Sequence, residues 1–205
     1  MLRHLALATA LIAAPALAHA NEWTVDPAHS TVSFTVKHMM VSTVRGEFGK
    51  VAGTASWSKP DHSDAKIDVT VDATTIDTRE PKRDAHLRSP DFFDVAKFPT
   101  LTFKSKRVEK AKEAGHLTLV GDLTIHGVTK EVAFDVAGPS PEMKTPFGTL
   151  AVGAEAKARI NRKDFGLNWN KALEAGGVLV SENVDIDINL ELSRKPGPGN
   201  QKAER

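Results

Sequence analysis

Six histidines, His29, His38, His62, His86, His116 and His126, lie beyond residue 20 and are the side chains best suited to acid–base work or metal ligation. Their spacing argues against a metal centre, because no pair stands i, i+4 as on a metal-binding helix and no H-x-H lies on a strand. Asp26, His29 and Ser30 contain the types of a nucleophilic triad. No G-x-S-x-G turn accompanies them, however, and adjacent strand residues point to opposite faces. A capped turn ahead of a strand accounts for D-P-x-H-S better, so no catalytic residue, metal or cofactor is assigned. His38 continues the apolar phase of Val32, Phe34 and Val36, where an imidazole needs a hydrogen-bond partner or marks the polar mouth of a cavity. Arg83 and His86 could meet a ligand's anionic or carbonyl oxygen through charge-assisted bonds, or form salt bridges with Asp84, Asp91 or Asp94.

Composition narrows the classes further. A chain of 205 residues, 40% hydrophobic and 26% charged, is one domain or two small ones. Lys+Arg 27 against Asp+Glu 26 gives a formal +1, which supplies no basic field for a nucleic-acid partner. The absence of cysteine excludes thiol catalysis, Cys-ligated zinc or iron–sulfur sites, and disulfides. Met1 to Ala20 (MLRHLALATALIAAPALAHA) has an early Arg3, an apolar run and an Ala18-His19-Ala20 cleavage pattern, the signature of a secretory signal peptide. Pro15 interrupts the run, which falls short of the ~20 apolar residues of a spanning helix. The expectation is a free mature chain beginning at Asn21, for which a bacterial cell would make the address the periplasm.

Period two dominates the mature chain. Val32, Phe34 and Val36 alternate with polar neighbours. Val44, Gly46 and Phe48 take one phase and Val51, Gly53, Ala55 and Trp57 the other, with a slip near Gly49 that predicts a bulged, bent strand. Further strands are expected around Ile67 to Val71, Leu101 to Ser105, Leu117 to Ile125, Val132 to Val136, Leu150 to Ile160 and Val184 to Leu192, with His126-Gly127 as a hairpin turn. About eight strands result. Thr78 to Lys97 resists the pattern, and Ser89-Pro90 reads there as an N-cap followed by a first-turn proline. One or two short helices are therefore expected between the third and fourth strands. Residues 21–193 form one domain, with a proline-rich loop from Gly138 to Pro146 and a disordered tail from Arg194 to Arg205.

Eight amphipathic strands pair as a packed sandwich or close into a barrel able to hold one small ligand. Three successive alanines, Ala154, Ala156 and Ala158, share the apolar phase of one strand, and Gly46, Gly53 and Gly121 add positions without side chains. These small residues either leave room for an apolar guest or match Phe34, Phe48, Phe103 and Phe134 opposite. Phe92, Phe93 and Phe98 would pack a lid over one end or gate it.

The segments WTVDPAHSTVSFTVKHM (23–39), VRGEF (44–48), RDAHLRSPDFFDVAKFPTLTFKS (83–105), GDLTIHGVTKEV (121–132) and INRKDFGLNW (160–169) together resemble the YceI-like family of periplasmic polyisoprenoid-binding proteins. The resemblance runs from Trp23 to about Leu192. It implies an all-β, eight-stranded antiparallel, lipocalin-like barrel whose bore holds a long isoprenoid lipid, such as a polyprenyl phosphate precursor or an isoprenoid quinone. It also implies binding without established turnover. On this reading Phe34, Val36, Phe48, Phe92, Phe93, Phe103, Ala154 and Ala156 contact the tail, while His38, Arg83 and His86 face the head group. Transient membrane contact and a homodimer are left open, as are an enzyme or an interaction module built on the same barrel.

Overall fold

The computed structural model describes residues 21–174 and 176–195. Eleven strands and one α-helix occur in chain order: β1 (Asn21–Val25), β2 (Thr31–His38), β3 (Ser42–Phe48), β4 (Val51–Trp57), β5 (Lys66–Asp72), α1 (Pro81–Arg88), β6 (Thr100–Lys110), β7 (His116–Ile125), β8 (Val128–Ala137), β9 (Met143–Lys144), β10 (Leu150–Asn161) and β11 (Val180–Arg194). All strand pairs are antiparallel.

Closure depends on two bends. β1 and β2 lie end to end along one edge of β11, with Val25 opposite Leu192 and Thr31 opposite Asn189, while the other edge of β11 pairs with β10. β3 and β4 also run end to end, β3 beside β2 and β4 between β1 and β5. The break falls at Gly49 and Lys50, where the sequence phase slips. Counting each bent pair as one strand and setting aside the two-residue β9 on the edge of β10 gives a closed eight-stranded antiparallel barrel with one helix. In strand order the helix comes after β5. The sequence pattern placed it after the third strand because it joined β3 to β4 and passed over the short β1.

The helix also starts earlier than Ser89-Pro90 suggests. Glu80 is the N-cap, accepting from the Lys82 amide, and Pro81 occupies the first turn. Ser89 instead closes the C-terminus, its hydroxyl donating to the His86 carbonyl at 2.7 Å. At the predicted β7–β8 hairpin, Ile125 pairs with Val128, and both His126 (φ 51) and Gly127 (φ 72) are left-handed as a two-residue turn requires. Arg194, expected to open the tail, is the last residue of β11: it pairs with Leu150, bonds Glu142 at 3.1 Å and lies 4.7 Å from the Trp23 ring. Its partners are distant in sequence, so local polarity alone misplaces it.

Strand direction sorts the connections to two ends. The β4–β5, β6–β7 and β8–β10 loops share one end, closed inside by Trp23, fully buried and stacked on Trp57 at 5.4 Å. The β2–β3 and β7–β8 turns, the segment containing α1 and the β10–β11 loop share the other. Outward residues form charge ladders, among them Arg159–Asp185 at 2.6 Å and Lys106–Asp122 at 2.5 Å.

Candidate functional site

The inward phases of the strands enclose a cavity of about 200 Å³ along the barrel axis. Its wall is almost wholly apolar. Phe34 and Val36 reach it from β2, Phe48 from β3, Phe103 from β6, and Ala154 and Ala156 from β10, while Phe92 and Phe93 close over it from the segment after α1. Ring contacts order this wall: Phe103 meets Phe134 edge-on at 5.0 Å, and Phe48 meets Phe93 edge-on and Phe34 at a tilt, at 5.8 Å each.

Among the described residues, one charged side chain lies on the wall. Arg162, 4% exposed, follows directly on the end of β10, two residues after the inward Ile160. Its Nη1 donates to the Leu167 carbonyl and to the Trp169 carbonyl at 2.9 Å, its Nε to Ser181 at 3.0 Å and its Nη2 to Val180 at 3.4 Å. Burial lowers the guanidinium pKa from its ordinary value, opposed by the field of Glu182. The carbonyls hold the β10–β11 loop against the barrel end. A guanidinium has five N–H donors, so one of the two on Nη2 has no acceptor among the described residues.

A family model for the YceI-like domain matches residues 23–192. The chain belongs to the YceI-like family. A UPF0312 protein of Staphylococcus aureus strain MSSA476 is 37% identical over 173 residues, covering 84% of this chain and 98% of that protein. Among solved structures, Burkholderia cenocepacia BcnA superposes with a TM-score of 0.67 at 22% identity, over 82% of this chain and 98% of its own. A polyisoprenoid binding domain from Saccharophagus degradans superposes with a TM-score of 0.58 at 17% identity, over 85% and 98% of the two chains. Both likenesses are of fold.

In this YceI-like chain all eight residues expected at a lipid tail line the cavity. The three expected at a head group do not. Arg83 turns away to a strap formed by the chain before α1, donating from Nε to Thr78 Oγ1 and from Nη2 to the Thr78 carbonyl, both at 2.7 Å. The buried Asp84 accepts from the Thr78 amide at 2.8 Å, and Arg88 donates to the Thr74 carbonyl at 2.8 Å, so the R-D-x-H-L segment fastens the helix. His86 bonds Asp91 at 2.9 Å, one of the ion pairs open to it, and meets Phe92 and Trp169 edge-on at 5.0 and 4.9 Å. His38 shares the phase of Val36 but lies beyond the lined stretch, half-buried at the end of β2. Phe98 packs on His126 at 4.8 Å rather than on the cavity.

The small residues divide in the same way. Ala154 and Ala156 border open space, whereas the glycine positions are occupied. A Cβ on Gly46 would stand 2.4 Å from the Phe34 ring, one on Gly121 2.6 Å from Phe103, and one on Gly53 2.2 Å from the Asp68 carbonyl. These glycines admit rings and a neighbouring backbone, not a guest. The D-P-x-H-S corner is structural: Asp26 accepts from the Ala28 amide and meets His29 Nδ1 at 2.9 Å, while Ser30 Oγ accepts from the Glu191 amide at 3.1 Å. The Asp26–His29 contact raises the His29 pKa and lowers the Asp26 pKa, and Asp135 likewise raises the His116 pKa at 3.0 Å. Two exposed-side groupings, Asp26–His29–Glu191 and Glu113–His116–Asp135, bring three candidate ligands together where sequence spacing showed none.

Several lining residues were not singled out in advance: Leu87 of α1, Leu119 and Leu123 of β7, and Ile186, Ile188 and Leu190 of β11. The period-two pattern of β11 carries that signal. Arg162 is legible as well, since the inward series from Leu150 to Ile160 continues onto it.

Proposed function

We propose that the protein binds one isoprenoid lipid, a polyprenyl phosphate precursor or an isoprenoid quinone, with its tail in the barrel, for carriage, storage or protection in the periplasm. The observation that carries this reading is the apolar cavity itself. At ~24 cal/mol per Å³, leaving about 200 Å³ unfilled costs about 5 kcal/mol, comparable to the whole stability of many domains. An apolar guest recovers that free energy. The choice of an isoprenoid draws on membership of the YceI-like family and on the shared fold of the Saccharophagus degradans polyisoprenoid binding domain.

The bore binds without turnover. Among the described residues Arg162 is the one charged group on the wall, and it is spent largely on backbone carbonyls, so these residues offer no converging acid–base pair in the bore. Its remaining Nη2 donor lies on the cavity wall and so suits a phosphate or quinone oxygen in the bore better than Arg83 or His86, neither of which lines the cavity.

Tail burial then governs affinity. Each buried carbon contributes up to ~0.8 kcal/mol, so each added five-carbon unit tightens Kd by well over tenfold until the bore is full. Titrating polyprenyl phosphates and quinones of matched, increasing tail length, with straight-chain acyl phosphates as controls, is expected to show that rise and a plateau. A Kd indifferent to tail length would place binding outside the cavity.

A further inference from the structure

At the end of the barrel carrying the β2–β3 turn, three bulky apolar side chains stand in water: Met39, Met40 and Val41 are 44%, 66% and 84% exposed. Hydration is not the only force against them. Met39 (φ 52) and Met40 (φ 59) are the two left-handed residues of a tight turn, closed by the Val41 amide donating to the His38 carbonyl at 3.0 Å. Asparagine and glycine take these positions at far lower conformational cost. Two methionines here serve neither the turn nor the core.

The location of the tip is informative. The Met39 amide donates to the Leu179 carbonyl at 2.8 Å, and the Leu179 amide donates to the Lys171 carbonyl at 2.9 Å, which fastens the tip to the β10–β11 loop. Val36 and Val180, on the same two strands just inside the tip, line the cavity. Lys37 and Lys171 flank it, both exposed and neither in an ion pair among the described residues. The exposed Met143 and Phe147 belong to the opposite end, where the fully buried Trp23 stacks on Trp57, away from Val36 and Val180.

We propose that the Met39-Met40-Val41 tip docks the protein on a phospholipid bilayer, its apolar side chains entering the acyl boundary while Lys37 and Lys171 face lipid phosphates. Docking brings the Val36 and Val180 end of the cavity to the surface in which isoprenoid lipids reside. Apolar burial and cation–phosphate attraction act together in such interfacial binding. The purpose assigned to docking rests on the lipid-binding reading above, but docking itself is a property of the tip.

The test uses the ligand-free protein and vesicles of equimolar phosphatidylcholine and phosphatidylglycerol, read by flotation. Met39→Asn, Met40→Gly and Val41→Ser combined restore ordinary turn residues and so retain the fold. This variant is expected to lose vesicle binding by about tenfold or more, whereas Phe147→Ser at the opposite end leaves it unchanged. Uptake of polyprenyl phosphate from loaded vesicles slows in the tip variant, and uptake from detergent micelles does not. Wild-type protein that ignores vesicles, a tip variant that binds them undiminished, or loss of binding on Phe147→Ser alone would overturn the proposal. Tip-dependent vesicle binding without isoprenoid uptake from micelles would uphold docking and remove the lipid-binding reading instead.

Discussion

Ala156→Phe is expected to lower lipid affinity by about 100-fold or more while the barrel remains folded. Ala156 sits mid-barrel on β10, opposite Val136 of β8 and Ile188 of β11, with its methyl group on the cavity wall. A phenyl ring there occupies the space of several tail carbons, each worth up to ~0.8 kcal/mol. The effect on stability is smaller and two-sided. Overpacking costs ~1 to 3 kcal/mol, but the ring also fills void volume that otherwise costs ~24 cal/mol per Å³. The ligand-free variant therefore unfolds close to the wild type. Added lipid separates them: a saturating isoprenoid raises the wild-type Tm, by about 2.7 kcal/mol of stability at a hundredfold excess over Kd, and leaves the variant unmoved. A folded variant with the same lipid-dependent shift would place the ligand outside the cavity.

Arg162→Met should produce the largest loss of stability of any single side chain on the cavity wall. Four carbonyls, of Leu167, Trp169, Val180 and Ser181, accept from this guanidinium at a site only 4% exposed. Methionine fills part of the volume and donates nothing. With ~1 to 3 kcal/mol for each acceptor left unsatisfied and some regained by water, the expected loss is about 3 kcal/mol or more. In a domain of this size that lowers Tm by roughly 6 to 12 °C. Arg162→Lys keeps the charge but not the planar fork and recovers only part. Arg83→Ala, by contrast, is expected to leave head-group preference unchanged, because its partner is Thr78. Calorimetry on the three variants checks the order, and an Arg162→Met protein melting with the wild type would contradict it.

Elements whose fold comes from local alternation were legible from residue types alone. β10 and β11 show this most clearly: Leu150 to Ile160 and Val184 to Leu192 keep strict period two, and their paired register carries both apolar phases into one bore. The His126-Gly127 turn was equally plain, because few other dipeptides tolerate two left-handed residues. The helix boundary was not. Glu80-Pro81 and Ser89-Pro90 both carry cap chemistry, and the polar PKRDAHLR run offers no apolar stripe to decide between them. The surroundings of the expected head-group residues were hidden for a related reason. Charge makes Arg83 and His86 attractive ligands for an anion, but the Thr78 strap and Asp91 hold them off the cavity wall, and residue type does not reveal such partners. Arg162 was overlooked although its phase points inward, since a cation at the end of an apolar series is easily taken for the start of a loop.

An isoprenoid lipid held in the bore is tested most directly by the mass of whatever leaves it. Protein purified from its native host without detergent, analysed intact by native mass spectrometry and then extracted with organic solvent, is expected to carry one isoprenoid lipid per barrel, released into the extract with its head group identifiable. A bare polypeptide mass, an extract free of isoprenoid, and no uptake of added octaprenyl phosphate or quinone would contradict it.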